Sequence, residues 1–316
     1  MNAVLILDKP AGLTSHDVVN RVRRILQERS VGHLGTLDPL ATGVLPLVVG
    51  NLTRLAQFYT SSEKTYEGTI RFGFATDTYD AEGEPTSPAQ EFAVPLDQLR
   101  QLASRFRGII EQTPPPFSAK KIQGVPAYKL ARKHAEVTLK PVQVEVKEFE
   151  ILEVYAHAGP DAHVQATEQS TAGCVASFRA RVASGTYMRS VAHDMGQLIG
   201  CGAHLASLRR TAVGEFDLAD AHTLEELETA VKTDDTDDIF IHPRKLLPQF
   251  PSVTANEEMA ARIRTGRPVN LPELSQSRMV KVFAGQRELI AIATRVAGTL
   301  FHAKIVLAAE SGRVIA

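Results

Sequence analysis

Over residues 66–74 apolar side chains fall at every second position, Tyr66, Gly68, Ile70, Phe72 and Phe74, which is the period of a strand with one face in a core. Residues 142–154 alternate in the same way, and Ala176, Phe178, Ala180 and Val182 mark a return strand. The run 44–49 is instead continuously apolar, which suits a buried strand, and Gly50-Asn51 punctuates it. Residues 204–213 read as a further strand, and 156–173, rich in Ala, Gly, His, Gln and Thr, as an insertion between two hairpin strands.

The helical period appears elsewhere. Thr14-Ser15-His16-Asp17 has the form of a capped helix start, and Val18, Val19, Val22, Ile25 and Leu26 then share one face, predicting a helix to about Gln27. Further helices are expected to carry Leu52, Leu55, Ala56 and Tyr59, and then Leu96, Leu99, Leu102 and Phe106. Pro114-Pro115-Pro116 forces extended chain, and Pro126 suits the first turn of a helix bearing Tyr128, Leu130 and Ala131. After Gly185-Thr186-Tyr187-Met188-Arg189 a helix is predicted with Val191, Met195 and Leu198 on one side, closed by Gly200-Cys201-Gly202.

Helices interspersed with adjacent strand pairs point to an α+β domain around a mixed or antiparallel sheet. The acidic segment 233–238 and the prolines Pro243, Pro248 and Pro251 suggest a boundary, which divides the chain into 1–248 and 249–316. Beyond it, one helix near 257–264 and strands near 278–283, 288–294 and 300–307 make a small β-rich domain.

Composition narrows the setting. The 316 residues are 44% hydrophobic, ample for a core, and the apolar start of the chain is too short and too soon broken for a signal peptide or a membrane span. Cys174 and Cys201 are too few for a disulfide framework and lack metal-ligand spacing, so a reduced, cytoplasmic location is expected. A net charge of -1 argues mildly against bulk electrostatic attraction to nucleic acid, but the charge is uneven. Lys120, Lys121, Lys129, Arg132, Lys133, His134, Lys140 and Lys147 crowd one region, and Glu225, Glu226, Glu228, Asp234, Asp235, Asp237 and Asp238 another. Taken alone, each run is as readily a solvated face.

One carboxylate stands out. Asp38 lies in a turn otherwise built from glycine, threonine, proline and apolar residues, where a bare anion is costly; it must be held by backbone N–H groups, paired with a distant cation, or open to a ligand. A carboxylate is also a nucleophile that needs no base, being ionised at neutral pH.

Four segments, Asp8-Lys9-Pro10-Ala11-Gly12-Leu13-Thr14-Ser15, GHLGTLDPLATGVLP at 32–46, Lys64-Thr65-Tyr66 and Gly185-Thr186-Tyr187-Met188-Arg189, resemble in order and spacing the motifs of TruB-type tRNA pseudouridine synthases. The resemblance spans most of the first 215 residues. It implies the central sheet of the pseudouridine synthase type with flanking helices, a PUA-like C-terminal domain, and isomerisation of the uridine at position 55 in the T loop of tRNA. It implies neither cofactor nor metal, and as partner the tRNA T stem-loop, with no membrane and a monomeric protein.

By the same resemblance Asp38, Tyr66 and Arg189 are catalytic, and His33, Lys64, Lys121, Tyr187 and Leu208 bind RNA or the base. A guanidinium such as Arg189 can hold a carboxylate ionised in a dry pocket, although its place at a helix start equally suits a surface arginine. Tyr66 is by default a core tyrosine; its functional role would be stacking on the extruded uracil, with proton transfer at the ribose as a further hypothesis. His33 is assigned to the distorted T loop, and Leu208 to a wall of the uracil pocket in competition with plain core packing. Lys9 and Pro10 are expected to support the active-site loop. Ser118-Ala119-Lys120-Lys121 carries one lysine more than the family pattern, which leaves open which of the two points inward. In the C-terminal domain Arg262, Arg264, Arg267, Lys281, Arg287 and Arg295 are the cations placed to touch the acceptor stem.

Two rival readings use the same residues. A tRNA folding chaperone would bind without needing Asp38, and a hydrolase would use Asp38 with a water and release free uracil, but no second carboxylate or histidine is recognisable as its base.

Overall fold

In the computed structural model the described residues are 1–118, 120–122, 124–127, 130, 139–157, 163–165 and 174–307. The two apolar runs near the N-terminus lie at the centre of the main sheet. β1 (Ala3–Lys9) pairs antiparallel with β3 (Thr42–Val49), and β2 (Val31–His33) extends the far end of β3. Leu5, Leu7, Leu45, Leu47 and Val49 face one apolar cluster, while Val4, Ile6, Val44 and Val48 face another. A strand covered on both faces has no reason to alternate, and this accounts for the continuous apolar pattern.

β4 (Lys64–Phe72) alternates because only one of its faces is covered: Tyr66, Ile70 and Phe72 enter the core and Thr65, Glu67 and Thr69 do not. It is followed by β5 (Gly108–Gln112) and by the short pair β6 (Lys121–Ile122) and β7 (Val125–Pro126). Then come β8 (Val142–His157), β9 (His163–Gln165), β10 (Cys174–Val182), β11 (Ala203–Val213), β12 (Phe216–Asp217) and β13 (Ala221–His222). Among the described residues the order across the sheet is β13-β1-β3-β11-β4-β10-β8-β5. The β1–β13 and β3–β11 pairs are parallel and the others antiparallel, so the sheet is mixed, as the sequence pattern predicts.

Among the described residues the helices are α1 (Ser15–Ile25), the single turn α2 (Ala56–Tyr59), α3 (Leu96–Ser104), α4 (Met188–Ile199), α5 (Leu224–Thr233) and α6 (Glu257–Arg264). Thr14 caps α1 reciprocally with Asp17. Residues 50–55, expected to begin the helix of Leu52 and Leu55, form a 3-10 turn that leads into α2. One expectation is corrected. Leu198 is 53% exposed rather than sharing the buried side of Val191 and Met195, while Ile199, one residue further along, packs against the core. The acidic run also enters a helix, α5, capped by Thr223 with Glu226, which packs Leu224 and Leu227 on the main core. Pro126 sits in β7, and the helix expected around Tyr128 lies mostly outside the described residues.

β14 (Ser252–Ala255), β15 (Val269–Asn270), β16 (Met279–Ala284), β17 (Glu288–Ala297) and β18 (Leu300–Val306) form a second sheet in the order β14-β16-β17-β18-β15, with α6 against it. Its Phe283, Leu289, Ile292, Ile305 and Leu307 join the same apolar cluster as Val4, Ile6, Val44 and Val48. The C-terminal sheet therefore covers the second face of β1 and β3.

Candidate active site

The turn that carries Asp38 follows β2 and runs into β3, and three buried groups fix it from different directions. The Ser15 hydroxyl, at the start of α1, donates to the Leu37 carbonyl at 3.0 Å and accepts from the Leu37 amide at 2.8 Å. Lys9, fully buried at the end of β1, donates to the carbonyls of Leu13 at 2.6 Å, Pro10 at 2.8 Å and Pro39 at 3.3 Å, which ties the first loop of the chain to the Asp38 turn. Burial lowers its pKa to about 8, and the nearby Asp38 carboxylate opposes that shift. Arg210 on β11, 1% exposed, donates to the carbonyls of Val44 at 2.8 Å, Gly35 at 3.0 Å and Thr36 at 3.2 Å. Gly43 makes this approach possible: at φ +98° a Cβ would stand 2.2 Å from the Arg210 carbonyl oxygen.

Arg189 reaches the turn from the first turn of α4. Its Nη2 donates to Asp38 Oδ1 at 3.1 Å, and Nε stands 3.0 Å from Oδ2, an ionic contact because that N–H is not aimed at the oxygen. Nη2 also donates to the Phe117 carbonyl at 3.0 Å and Nη1 to the Thr78 carbonyl at 3.2 Å, with Asp80 Oδ2 3.6 Å away. The guanidinium side chain is 5% exposed and the Asp38 side chain 38%, so the arginine is a fixed wall while one carboxylate edge stays open to the pocket. Crowding by the surrounding protein raises the Asp38 pKa, Asp80 adds to that, and Arg189 and Lys9 work against it. Ionised Asp38 therefore depends on the guanidinium beside it.

This carboxylate lines a pocket of about 230 Å³ together with Lys64, Tyr66, Tyr187, Arg189 and Leu208. Tyr66 enters from β4 and is buried, in register with Arg210 across the β4–β11 ladder. Lys64, on the same face of β4, donates to the Ser62 carbonyl at 2.6 Å, and burial, followed by the Arg210 charge, lowers its pKa to about 8. Tyr187 precedes α4 and is clamped through its backbone, where its amide donates to Gln112 Oε1 at 2.8 Å and its carbonyl accepts from Gln112 Nε2 at 3.1 Å. Among the described residues no three His, Cys, Asp or Glu side chains converge as a metal site.

The fold thus brings Asp38, Lys64, Tyr66, Tyr187, Arg189 and Leu208 to one pocket wall, and leaves His33 on β2 outside it. The Lys121 side chain lies outside the described residues, and Lys120 is exposed. Several other cations expected at the RNA are engaged within the protein. Lys147 pairs with Glu63, which also binds Arg181. Lys281 is corrected outright: it is 2% exposed and donates to the carbonyls of Leu246 at 2.6 Å and Arg244 at 3.0 Å, so it anchors the segment before β14 and touches no acceptor stem. Arg264 pairs with Glu288 and Arg287 with Asp237, Arg262 and Arg295 donate to the Pro268 and Ser275 carbonyls, and Arg267 is exposed. Ser15, Asp80 and Arg210 are site residues that sequence reasoning missed. Ser15 ends the Asp8–Ser15 motif and Arg210 adjoins Leu208, so each lay in a segment already singled out, whereas Asp80 gave no signal.

A mixed sheet with this pocket at its centre is the fold of the pseudouridine synthases. A chain of the Cbf5-Nop10-Gar1 complex superposes with a TM-score of 0.67 at 25% identity, over 97% of this chain and 85% of that one. A chain of an H/ACA RNP bound to a substrate RNA containing 2'-deoxyuridine superposes equally well, at 0.67 and 24% identity, over 98% and 86%. Residues 23–188 match the model of the TruB family pseudouridylate synthase N-terminal domain, and 189–248 that of the tRNA pseudouridylate synthase B C-terminal domain. The tRNA pseudouridine synthase B of Solibacter usitatus is 49% identical over 311 residues, 97% of this chain and all of that protein. The tRNA pseudouridine synthase B of Aquifex aeolicus is 37% identical over 283 residues, 90% of this chain and 92% of that protein. The chain belongs to the TruB family of pseudouridylate synthases.

Proposed function

We propose that this protein converts a uridine of tRNA to pseudouridine, at position 55 in the T loop, with Asp38 as nucleophile. The observation that carries the reading is the Asp38–Arg189 pair, an anion open to the pocket on one edge and held by a buried cation on the other. A pocket this small admits a single base, so the target must leave the stack of its folded loop, at a cost of a few kcal/mol that contacts with the surrounding RNA offset.

In the pocket, Tyr66 offers its ring to the uracil and Leu208 an apolar edge. Asp38 forms a transient adduct with the nucleotide, at the sugar C1' or the ring C6, and is released at the end. Over the cycle the N1–C1' bond breaks and a C5–C1' bond forms; C5 loses one proton and N1 gains one, so neither oxidant nor water is consumed. Proton transfer at the ribose falls to the Tyr66 phenol. Recognition rests on the shape of the T stem-loop, since the pocket itself reads one base. Two buried, unpaired cysteines suit a reducing cytoplasmic location.

The deciding experiment is tritium release from C5-labelled uridine in tRNA, paired with mapping of the modified position. Asp38→Asn should bind tRNA and release no tritium; release at the normal rate would remove Asp38 from the chemistry, and free uracil as product would indicate a hydrolase. Tyr66→Phe should keep tRNA binding and slow turnover, and an unchanged rate would strip the phenol of its proton-transfer role.

A further inference from the structure

Thr78 and Asp80, which hold Arg189 from one loop, are separated by a residue in an unusual conformation. Tyr79 has φ +66°, a left-handed backbone that bulky aromatic residues rarely adopt because of their Cβ. Such a conformation persists only where the surroundings over-determine it.

Here they do so from two sides. The Tyr79 ring lies flat on the His193 imidazole, with ring centroids 3.7 Å apart and planes 13° from parallel. Its backbone is also bonded, the amide donating to the Thr76 carbonyl at 3.3 Å and the carbonyl accepting from the Leu205 amide of β11 at 3.0 Å. Asp80, 4% exposed, is oriented in turn by the Thr78 hydroxyl at 2.6 Å and the Glu82 amide at 3.1 Å, both on Oδ1, which leaves Oδ2 to face the guanidinium. His193 and Arg189 are four residues apart on α4 and so stand on the same helix face. One turn of α4 thus presents the guanidinium, and the next clamps the loop that holds it.

We propose that Tyr79 is a positioning residue for Arg189: its ring, clamped on His193, fixes the left-handed turn that offers the Thr78 carbonyl and the Asp80 carboxylate to the guanidinium, and so sets the aim of Arg189 at Asp38. The inference rests on Asp38 and Arg189 being the reacting pair. It deepens that reading by adding a residue that touches neither the substrate nor Asp38.

The test is Tyr79→Gly in the full chain, read by single-turnover tritium release from C5-labelled uridine in tRNA and by tRNA binding on filters. Glycine takes the left-handed backbone without penalty, so any loss reports the missing ring and not a strained turn. The expected result is a rate lowered by roughly ten- to hundredfold, as for other small misplacements of a reacting group, with tRNA affinity within about twofold of normal. Tyr79→Phe keeps the stack and should restore the rate. His193→Ala should reproduce the loss by itself, and should add little to it when combined with Tyr79→Gly, because both remove one contact.

A normal rate in both Tyr79→Gly and His193→Ala would overturn the inference, since the backbone bond to Leu205 would then hold the turn unaided. Equal losses in Tyr79→Phe and Tyr79→Gly would overturn it too, by pointing to the hydroxyl. Weakened tRNA binding at an unchanged rate would make Tyr79 a binding residue instead. If Tyr79→Gly does not fold, His193→Ala decides the same question. Failure here remains distinct from failure of the proposed function, which an active Asp38→Asn would signal.

Discussion

Asp38 and Arg189 lie 151 positions apart in the chain, yet their side chains meet at 3.1 Å. The pair sets a measurable pH dependence. Burial raises the Asp38 pKa, and a nucleophilic Asp38, as proposed, must be the anion, so activity should fall on the acid side through a pKa above the ordinary aspartate range. Arg189→Gln removes the opposing cation and should move that acid limb further up while lowering the rate at neutral pH. A pH profile of kcat/KM for both proteins checks this, and an unmoved limb would mean that Arg189 does not sustain the Asp38 charge. Gly43 carries a second prediction at this scale. Its positive φ and the 2.2 Å approach to backbone make Gly43→Ala destabilising by at least ~2 kcal/mol, measurable by urea denaturation.

At the scale of elements, α4 does more than its amphipathic pattern suggests. It carries Arg189 at its first turn, buries Val191, Ala192 and Met195 in the core, and turns Asp194 toward a groove beside Phe106, Ile110 and Leu198. Burial raises the Asp194 pKa to about 6, above its value in the unfolded chain. Above pH 6 the folded state bears the cost of the charge; as pH falls through 6 the group protonates and the cost fades. Asp194→Asn should therefore raise Tm at pH 7.5, with an advantage that shrinks by pH 5, and an equal gain at both values would show that the charge is not the cause. The same scale explains where the sequence reading of elements failed. The run 225–238 stood out in the sequence only as charge, although over 224–233 four apolar residues match four charged ones and Thr223 with Glu226 spelled a capping box. Leu198 kept helical phase with Val191 and Met195, but the buried stripe runs through Met188, Ala192, Met195 and Ile199 and leaves it at the edge.

At the scale of the whole molecule, the C-terminal sheet is part of the catalytic core's packing. Phe283, Leu289, Ile292, Ile305 and Leu307 cover the face of β1 and β3 opposite the active site, and Tyr59 donates to Glu215 at 2.8 Å, whose same oxygen accepts from the Leu247 amide. A chain ended at residue 248 would expose Val4, Ile6, Val44 and Val48 to water, and each large apolar side chain so exposed costs on the order of 1.5 to 3 kcal/mol. The truncated protein should melt well below the full chain and bind a hydrophobic dye. An unchanged melting temperature would show that the shared cluster contributes little.

Local pattern was sufficient for the strands with one covered face, the capped helix α1, the α+β class and the four motifs, including Asp38 itself. Those features depend on residues within one or two turns of each other, and spacing records them directly. The resemblance already named Arg189 and Lys9; the three-dimensional arrangement alone decided how Arg189 meets Asp38, that Lys281 is buried, and that Ser15 and Arg210 hold the turn through its backbone. A carbonyl acceptor has no side-chain signature, and a contact across more than a hundred residues leaves no periodicity, so the bonds that fix the Asp38 turn became visible only once the sheet had brought β1, β3, β4 and β11 together.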